Sequence, residues 1–120
     1  MVAMMNVLLI LNDPPTTPGR SDNGLGVAAA LLRTEDANVR LFLLGDAVSW
    51  AAAPTPSGGA TPAPVSPICG LINGGCVVAV SETGMRDRGL ATDDLVMGAE
   101  PASASTLAAW CLESERLLVF

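Results

Sequence analysis

The densest set of reactive side chains lies at Ser81-Glu82-Thr83-Gly84, two hydroxyls and a carboxylate directly after the apolar run Cys76 to Val80. An apolar run that opens into a polar turn reads as a buried strand presenting its C-terminal end, which is where parallel-sheet proteins keep their ligands. Asp13 and Asp46 stand in similar places, just beyond Met5 to Leu11 and Val39 to Leu44. Two such carboxylates could hold a cation, or share a proton if they come close enough for one pKa to rise. The plainer alternative is that each bonds nearby backbone amides or caps a helix. Arg86 and Arg88 flank Asp87, and Arg88 is the better candidate of the two for clamping an anion, against the commoner role of a solvated or contact face.

The chemistry open to these residues is narrow. Histidine, tyrosine, lysine and glutamine are absent, so acid-base or nucleophilic work falls to carboxylates, hydroxyls, thiols and backbone. Cys69, Cys76 and Cys111 have no C-x-x-C spacing and no histidine to complete a ligand set, so no metal site and no bound cofactor is expected. Each thiol has an ordinary reading. Cys111 falls on an apolar helix face, Cys76 opens a buried strand, and Cys69, in the least regular region, is the one expected to be accessible. A net charge of −6 without lysine leaves no basic stripe for phosphates, which argues against nucleic acid as a partner.

At 120 residues the chain fits one domain. Half its residues are hydrophobic and 15% charged, against about a quarter charged in an ordinary soluble domain. A lone monomer would have difficulty covering its apolar surface, so a homo-oligomer is expected. The apolar runs fall far short of the roughly 20 residues that span a bilayer, and Met1 to Asn6 has no positive charge of the kind a secretion signal carries. No membrane association and a cytoplasmic location are the expectations, with the thiols reduced.

The elements that must position the polar turns alternate. Met5 to Leu11 has the pattern of a strand covered on both faces. Asn12 to Gly19, with three prolines, is loop, and Ser21 or Asp22 caps a helix running to about Arg33. Val39 to Leu44 repeats the strand pattern and turns at Gly45-Asp46 into a short helical piece through Trp50. Strand, helix, strand implies a right-handed parallel crossover. Ala53 to Pro67 is a Pro/Gly-rich surface loop. A brief helix near Ile68 to Asn73, a third strand at Cys76 to Val80, and helical turns within Arg86 to Gly98 capped by Thr92 come next. A weak strand at Ala99 to Ala102, a helix at Ser103 to Leu112 bearing Leu107 and Cys111 on one face, and a last strand at Arg116 to Phe120 complete the chain.

The expected fold is therefore α/β, with five mainly parallel strands. Parallel strands end at one edge, which should gather Asn12, Asp13, Asp46, Ser81, Glu82, Thr83 and Arg88 into a pocket. Gly24-Leu25-Gly26-Val27-Ala28-Ala29 matches G-x-G-x-x-A, but a dinucleotide turn must directly follow strand one. Here a dozen loop residues intervene, and small residues inside a helix more simply permit close packing.

Five blocks in order carry a resemblance: Asn6 to Pro15, Arg20 to Leu25, Phe42 to Val48, Met85 to Leu90 and Ala108 to Phe120. Together they resemble the DsrE/DsrF-like family, which includes YchN-like proteins. The resemblance implies a three-layer α/β/α domain over residues 1–120, usually assembled as a homotrimer or hexamer, and in some members sulfur relay through cysteine persulfides with protein partners. It also exposes a departure. The family turn often reads C-G-T-C before L-x-x-R-G-L, and aligning Arg88-Gly89-Leu90 places Ser81 and Gly84 at the cysteines. Trp50 stands at a further position where relatives can carry cysteine, and Gly19 where they often carry an acid. A hydroxyl cannot store a transferable sulfane sulfur. Three roles are thus open: a non-catalytic accessory or binding module, a sulfurtransferase using Cys69 or Cys76, and, by fold analogy alone, a small-ligand or nucleotide binder.

Overall fold

A computed structural model describes residues 4–17, 19–54 and 66–120. Strands β1 (Met5–Leu11), β2 (Ala37–Leu43), β3 (Val77–Ser81), β4 (Ala99–Ala102) and β5 (Arg116–Val119) form one sheet in the order β4-β3-β2-β1-β5. All four pairings are parallel. The helices are α1 (Arg20–Thr34), α2 (Pro67–Asn73), α3 (Glu82–Asp87) and α4 (Ala104–Glu113), with 3-10 turns at Gly45–Ala51 and Thr92–Asp94. Among these residues no helix is long and apolar enough to cross a membrane.

The alternation of β side chains divides the core between two faces. Val7, Leu9, Leu11, Val39, Leu41, Leu43, Val78 and Val80 point to the face covered by Leu25 and Ala28 of α1, Ile68 and Leu71 of α2, the Gly45–Ala51 turn and Met85 of α3. Leu8, Ile10, Phe42, Ala79 and Ala102 point to the other face, where α4 supplies Leu107 and Trp110. The result is three layers, α/β/α, as strands that are apolar on both faces require.

Several boundaries differ from those the sequence suggested. β2 starts at Ala37 because Ala37 and Asn38 pair in register with Met5 and Asn6 of β1, which brings Asn38 into the strand despite its polarity. Gly19, not Ser21 or Asp22, precedes α1. Pro67 is the first residue of α2, where its missing N–H costs nothing, and Ser66 caps that helix by accepting the Ile68 N–H. Of the expected loop, residues 55–65 lie outside the described residues. Thr92 does not cap the second 3-10 turn. Ala91 precedes it, and its N–H donates to Asp94 at 2.8 Å. On α4 it is Leu107 and Trp110, three residues apart, that share the sheet-facing stripe, which leaves Cys111 exposed.

Candidate functional site

The β-rich core sets the positions of the polar turns. Leu11, Leu43 and Val80 are consecutive partners across β1, β2 and β3. Their successors Asn12, Leu44 and Ser81 therefore leave the sheet on the same edge, and the Leu44 N–H donates to the Leu11 carbonyl at 2.9 Å. The predicted convergence is a consequence of parallel pairing, and the bonds made at that edge determine what it can do.

Asn12 is held to the chain's last residues, its backbone and side-chain N–H groups both donating to the Phe120 carbonyl at 3.0 Å. Asp13 works through its backbone as much as its carboxylate. Its carbonyl accepts from the Ser21 hydroxyl and from the Trp50 indole, each at 2.9 Å, while its N–H donates to Ser21 at 3.1 Å. Ser21, fully buried, is thus the residue that ties α1 to the end of β1. The Asp13 carboxylate takes a two-pronged bond from Arg20 at 3.0 and 3.1 Å, the geometry that suits a guanidinium to a carboxylate. Asp46 pairs with Arg88. The two aspartates therefore face separate arginines rather than a common proton or cation.

Arg88 is similarly committed. One guanidinium nitrogen donates to Asp46 and the other to the Gly84 carbonyl at 3.0 Å, bracing the end of α3 against the turn after β2. The Ser81–Gly84 segment is not an open turn but the first turn of α3 itself. Ser81 is its N-cap, with its hydroxyl accepting the Gly84 N–H at 3.2 Å. Serine is among the best residues for that task. Glu82, in the first turn where a negative charge suits the helix dipole, and Thr83 are both exposed.

Gly84 is buried against the neighbouring turn. A Cβ there would stand 2.8 Å from Val48 Cγ1 and 3.1 Å from the Gly45 carbonyl oxygen. A side chain there would have to push the Val48 methyl aside and would crowd the Gly45 backbone. Gly24 in the G-x-G-x-x-A stretch plays a comparable part, since a Cβ would meet the Phe120 ring at 2.9 Å as well as Leu11. That glycine lets α1 approach the sheet and the chain's end, and it lies inside α1, not in a phosphate-binding turn.

The thiols are elsewhere. Cys76 immediately precedes β3, at the strand end opposite Ser81, a separation of roughly 16 Å at the usual rise. It is buried, and desolvation pushes its thiol from 9.0 up to about 12. Cys111 is the exposed cysteine and Cys69 is half-buried, the reverse of the accessibility expected from sequence, because α2 turns one side of Cys69 toward the core while α4 turns Cys111 outward. Cys69 is nonetheless connected to the edge. Its N–H donates to the Ser66 carbonyl at 3.0 Å, and the Ser66 hydroxyl donates at 2.7 Å to the carbonyl of Trp50, whose indole holds Asp13. Among the described residues no group of histidine, cysteine and acidic side chains could hold a metal ion.

Two grooves open on the surface. One of about 460 Å³ runs between α1 and α2, lined largely by small and apolar residues including Gly26, Ala29, Gly70 and Leu71. A second, of about 450 Å³, lies beyond α3 and includes Glu82, Arg86, Thr92 and Pro101. Of the residues expected to line a pocket, Glu82 alone borders either groove.

The model of the DsrE/DsrF-like family matches residues 5–120. The chain belongs to that family. The YchN protein of E. coli superposes with a TM-score of 0.80 at 26% identity, covering 98% of this chain and all of that one. MTH1491 of Methanobacterium thermoautotrophicum, described as a protein of unknown function, gives 0.77 at 13% identity over 97% of this chain and 99% of that one, a likeness of fold. No curated protein sequence matches the chain. In this DsrE/DsrF-like protein, Ser21, Trp50 and Gly84 carry the architecture of the edge. The sequence presents Ser21 as a possible cap and Trp50 as a departure from the family pattern. Nothing local in the sequence marks either as a partner of Asp13, because both bonds are tertiary.

Proposed function

We propose that this protein is a non-catalytic member of the DsrE/DsrF-like family, an oligomeric accessory or binding module related to sulfur-relay proteins and acting with a protein partner in the cytoplasm. The observation that carries the reading is the closure at Gly84. The position aligned with a family cysteine is crowded by Val48 and the Gly45 backbone, so a side chain there must displace them, and the other, Ser81, is used as a helix cap. Asp46 and Arg88 clasp the same turn from outside, so the edge is built for rigidity. Incubation with glutathione persulfide followed by intact-mass measurement tests it. The expected result is no stoichiometric, transferable adduct of one sulfur atom, whereas such an adduct on a single cysteine would reject the reading. Light scattering at micromolar concentration is expected to give a multiple of the chain mass, with a trimer or hexamer as the family resemblance implies.

The second reading, a sulfurtransferase, is favoured by one observation, the partial exposure of Cys69 on α2, whose first turn is tied by its backbone through Ser66 and Trp50 to Asp13. There the Cys69 thiolate would attack the outer sulfur of a donor persulfide, forming the new S–S bond as the donor thiolate leaves. Rapid alkylation of Cys69 relative to exposed Cys111 at neutral pH would support it, and slower labelling would count against it.

A further inference from the structure

The two edges of the sheet are unequal. The β4 edge carries Pro101, a missing donor that discourages pairing with another strand. The β5 edge reads Arg116-Leu117-Leu118-Val119, with no proline and no bulge, and among the described residues no strand lies beyond it.

The backbone of β5 shows which groups face outward. Phe120 donates to Ile10 at 2.8 Å and accepts from Asn12 at 3.0 Å, so its N–H and C=O point toward β1. Alternation along the strand places the same groups of Leu118 inward, and those of Leu117 and Val119 on the free side. The side chains of Leu117 and Val119 share the sheet face of Leu8 and Ile10, with which they are in register. They are 49% and 61% exposed, although a parallel sheet is ordinarily covered on both faces.

We infer that β5 is the pairing edge for a second copy of this chain, joined antiparallel about a two-fold axis through Leu118 to make one continuous ten-stranded sheet. In this register Leu117 lies opposite Val119 of the partner subunit as a hydrogen-bonded pair, and the symmetric pair doubles it, so all four outward groups of each strand are satisfied. On the same face the two exposed apolar side chains cover one another. On the other face Leu118 meets Leu118 of the partner subunit, and Arg116 lies opposite Phe120 of the partner subunit, a cation beside an aromatic ring. Registers shifted by two residues either way satisfy one such hydrogen-bonded pair at the axis and leave the other outward groups without these partners. Because the β4 edge is blocked, among the described strands β5 has only another β5 to pair with, and the contact closes on itself instead of propagating.

The inference rests on the oligomeric reading above and sharpens it, since a two-fold contact demands an even number of subunits. The test is Val119→Pro in the full chain, measured by light scattering and circular dichroism. Proline at 119 removes an outward N–H and leaves the ladder to β1 intact, so the expected result is a halved mass with an unchanged spectrum. Leu118→Cys in a Cys111→Ala background is the second arm. Residues across the axis form a non-hydrogen-bonded pair with Cα atoms about 4.5 Å apart, within disulfide reach, so mild oxidation is expected to yield a covalent dimer. An even-numbered wild-type assembly whose mass survives Val119→Pro, or absence of the Leu118→Cys crosslink, overturns the β5 pairing alone. A lone trimer also overturns it while leaving oligomerisation standing, and a monomeric wild type overturns both.

Discussion

Gly84 and Ser81 lie in the same first turn of α3 yet should respond differently to a restored thiol. At Ser81 a cysteine fits the half-buried space but caps poorly, and loss of a serine cap costs about 1 kcal/mol. At Gly84 the new Cβ must displace Val48 and the Gly45 backbone, an overpacking of the kind that costs about 1–3 kcal/mol. Urea unfolding of Ser81→Cys and Gly84→Cys is expected to show the larger loss at Gly84, and equal losses would contradict the closure described here. Cys76 makes a prediction in pH. Its thiol is raised from 9.0 to about 12 in the folded chain, so the unfolded chain releases this proton first. The stability associated with the neutral thiol is complete below pH 9 and is lost as pH rises toward 12. The denaturation midpoint should therefore fall more steeply across that interval in the wild type than in Cys76→Ala, and parallel slopes would show that burial does not control this thiol.

The helices divide into a tightly fastened group and one lightly held. α1, α2 and α3 lie on the face with the larger core cluster, whereas α4 alone covers the other and has no fully buried residue. What holds α4 is concentrated at Trp110. Its ring meets Phe42 edge-on with centroids 5.9 Å apart, and the Arg40 guanidinium lies 5.2 Å from its centroid while bonding Glu113 at 2.6 Å. Trp110→Ala is expected to cost about 3 kcal/mol, at the lower end for a large aromatic because the ring is only half-buried. Glu113→Gln should cost under about 1 kcal/mol, since the glutamate is more than half exposed. Unfolding midpoints of the two variants check this order, and a dominant effect from Glu113 would place the fastening in the ion pair instead.

For the whole molecule the imbalance lies at the surface. Leu112 at 89% exposed and Met97 at 95% join Leu117, Val119 and Val77 among the large apolar side chains left in water, in a chain with few charges to dilute them. If assembly covers part of this surface, folding and association are linked by mass action. The thermal midpoint of the wild type is then expected to rise with protein concentration, and calorimetry over a hundredfold dilution series reads it directly. A midpoint independent of concentration would mean that folding and association are not linked.

The sequence alone determined the strand and helix order, the parallel sense and the edge at which Asn12, Asp46 and Ser81 leave the sheet. These follow from apolar periodicity and chain connectivity, which are local properties. It also displayed the loss of the aligned cysteines, because residue identity needs no coordinates. Only the tertiary structure decided that Asp13 belongs to Arg20 and Asp46 to Arg88, that Ser21 and Trp50 converge on one carbonyl, and that Gly84 is shut by Gly45 and Val48. Each of those contacts joins residues separated by at least seven positions, and most by tens. Side-chain pairing across such distances depends on packing angles and approach distances, which periodicity does not encode.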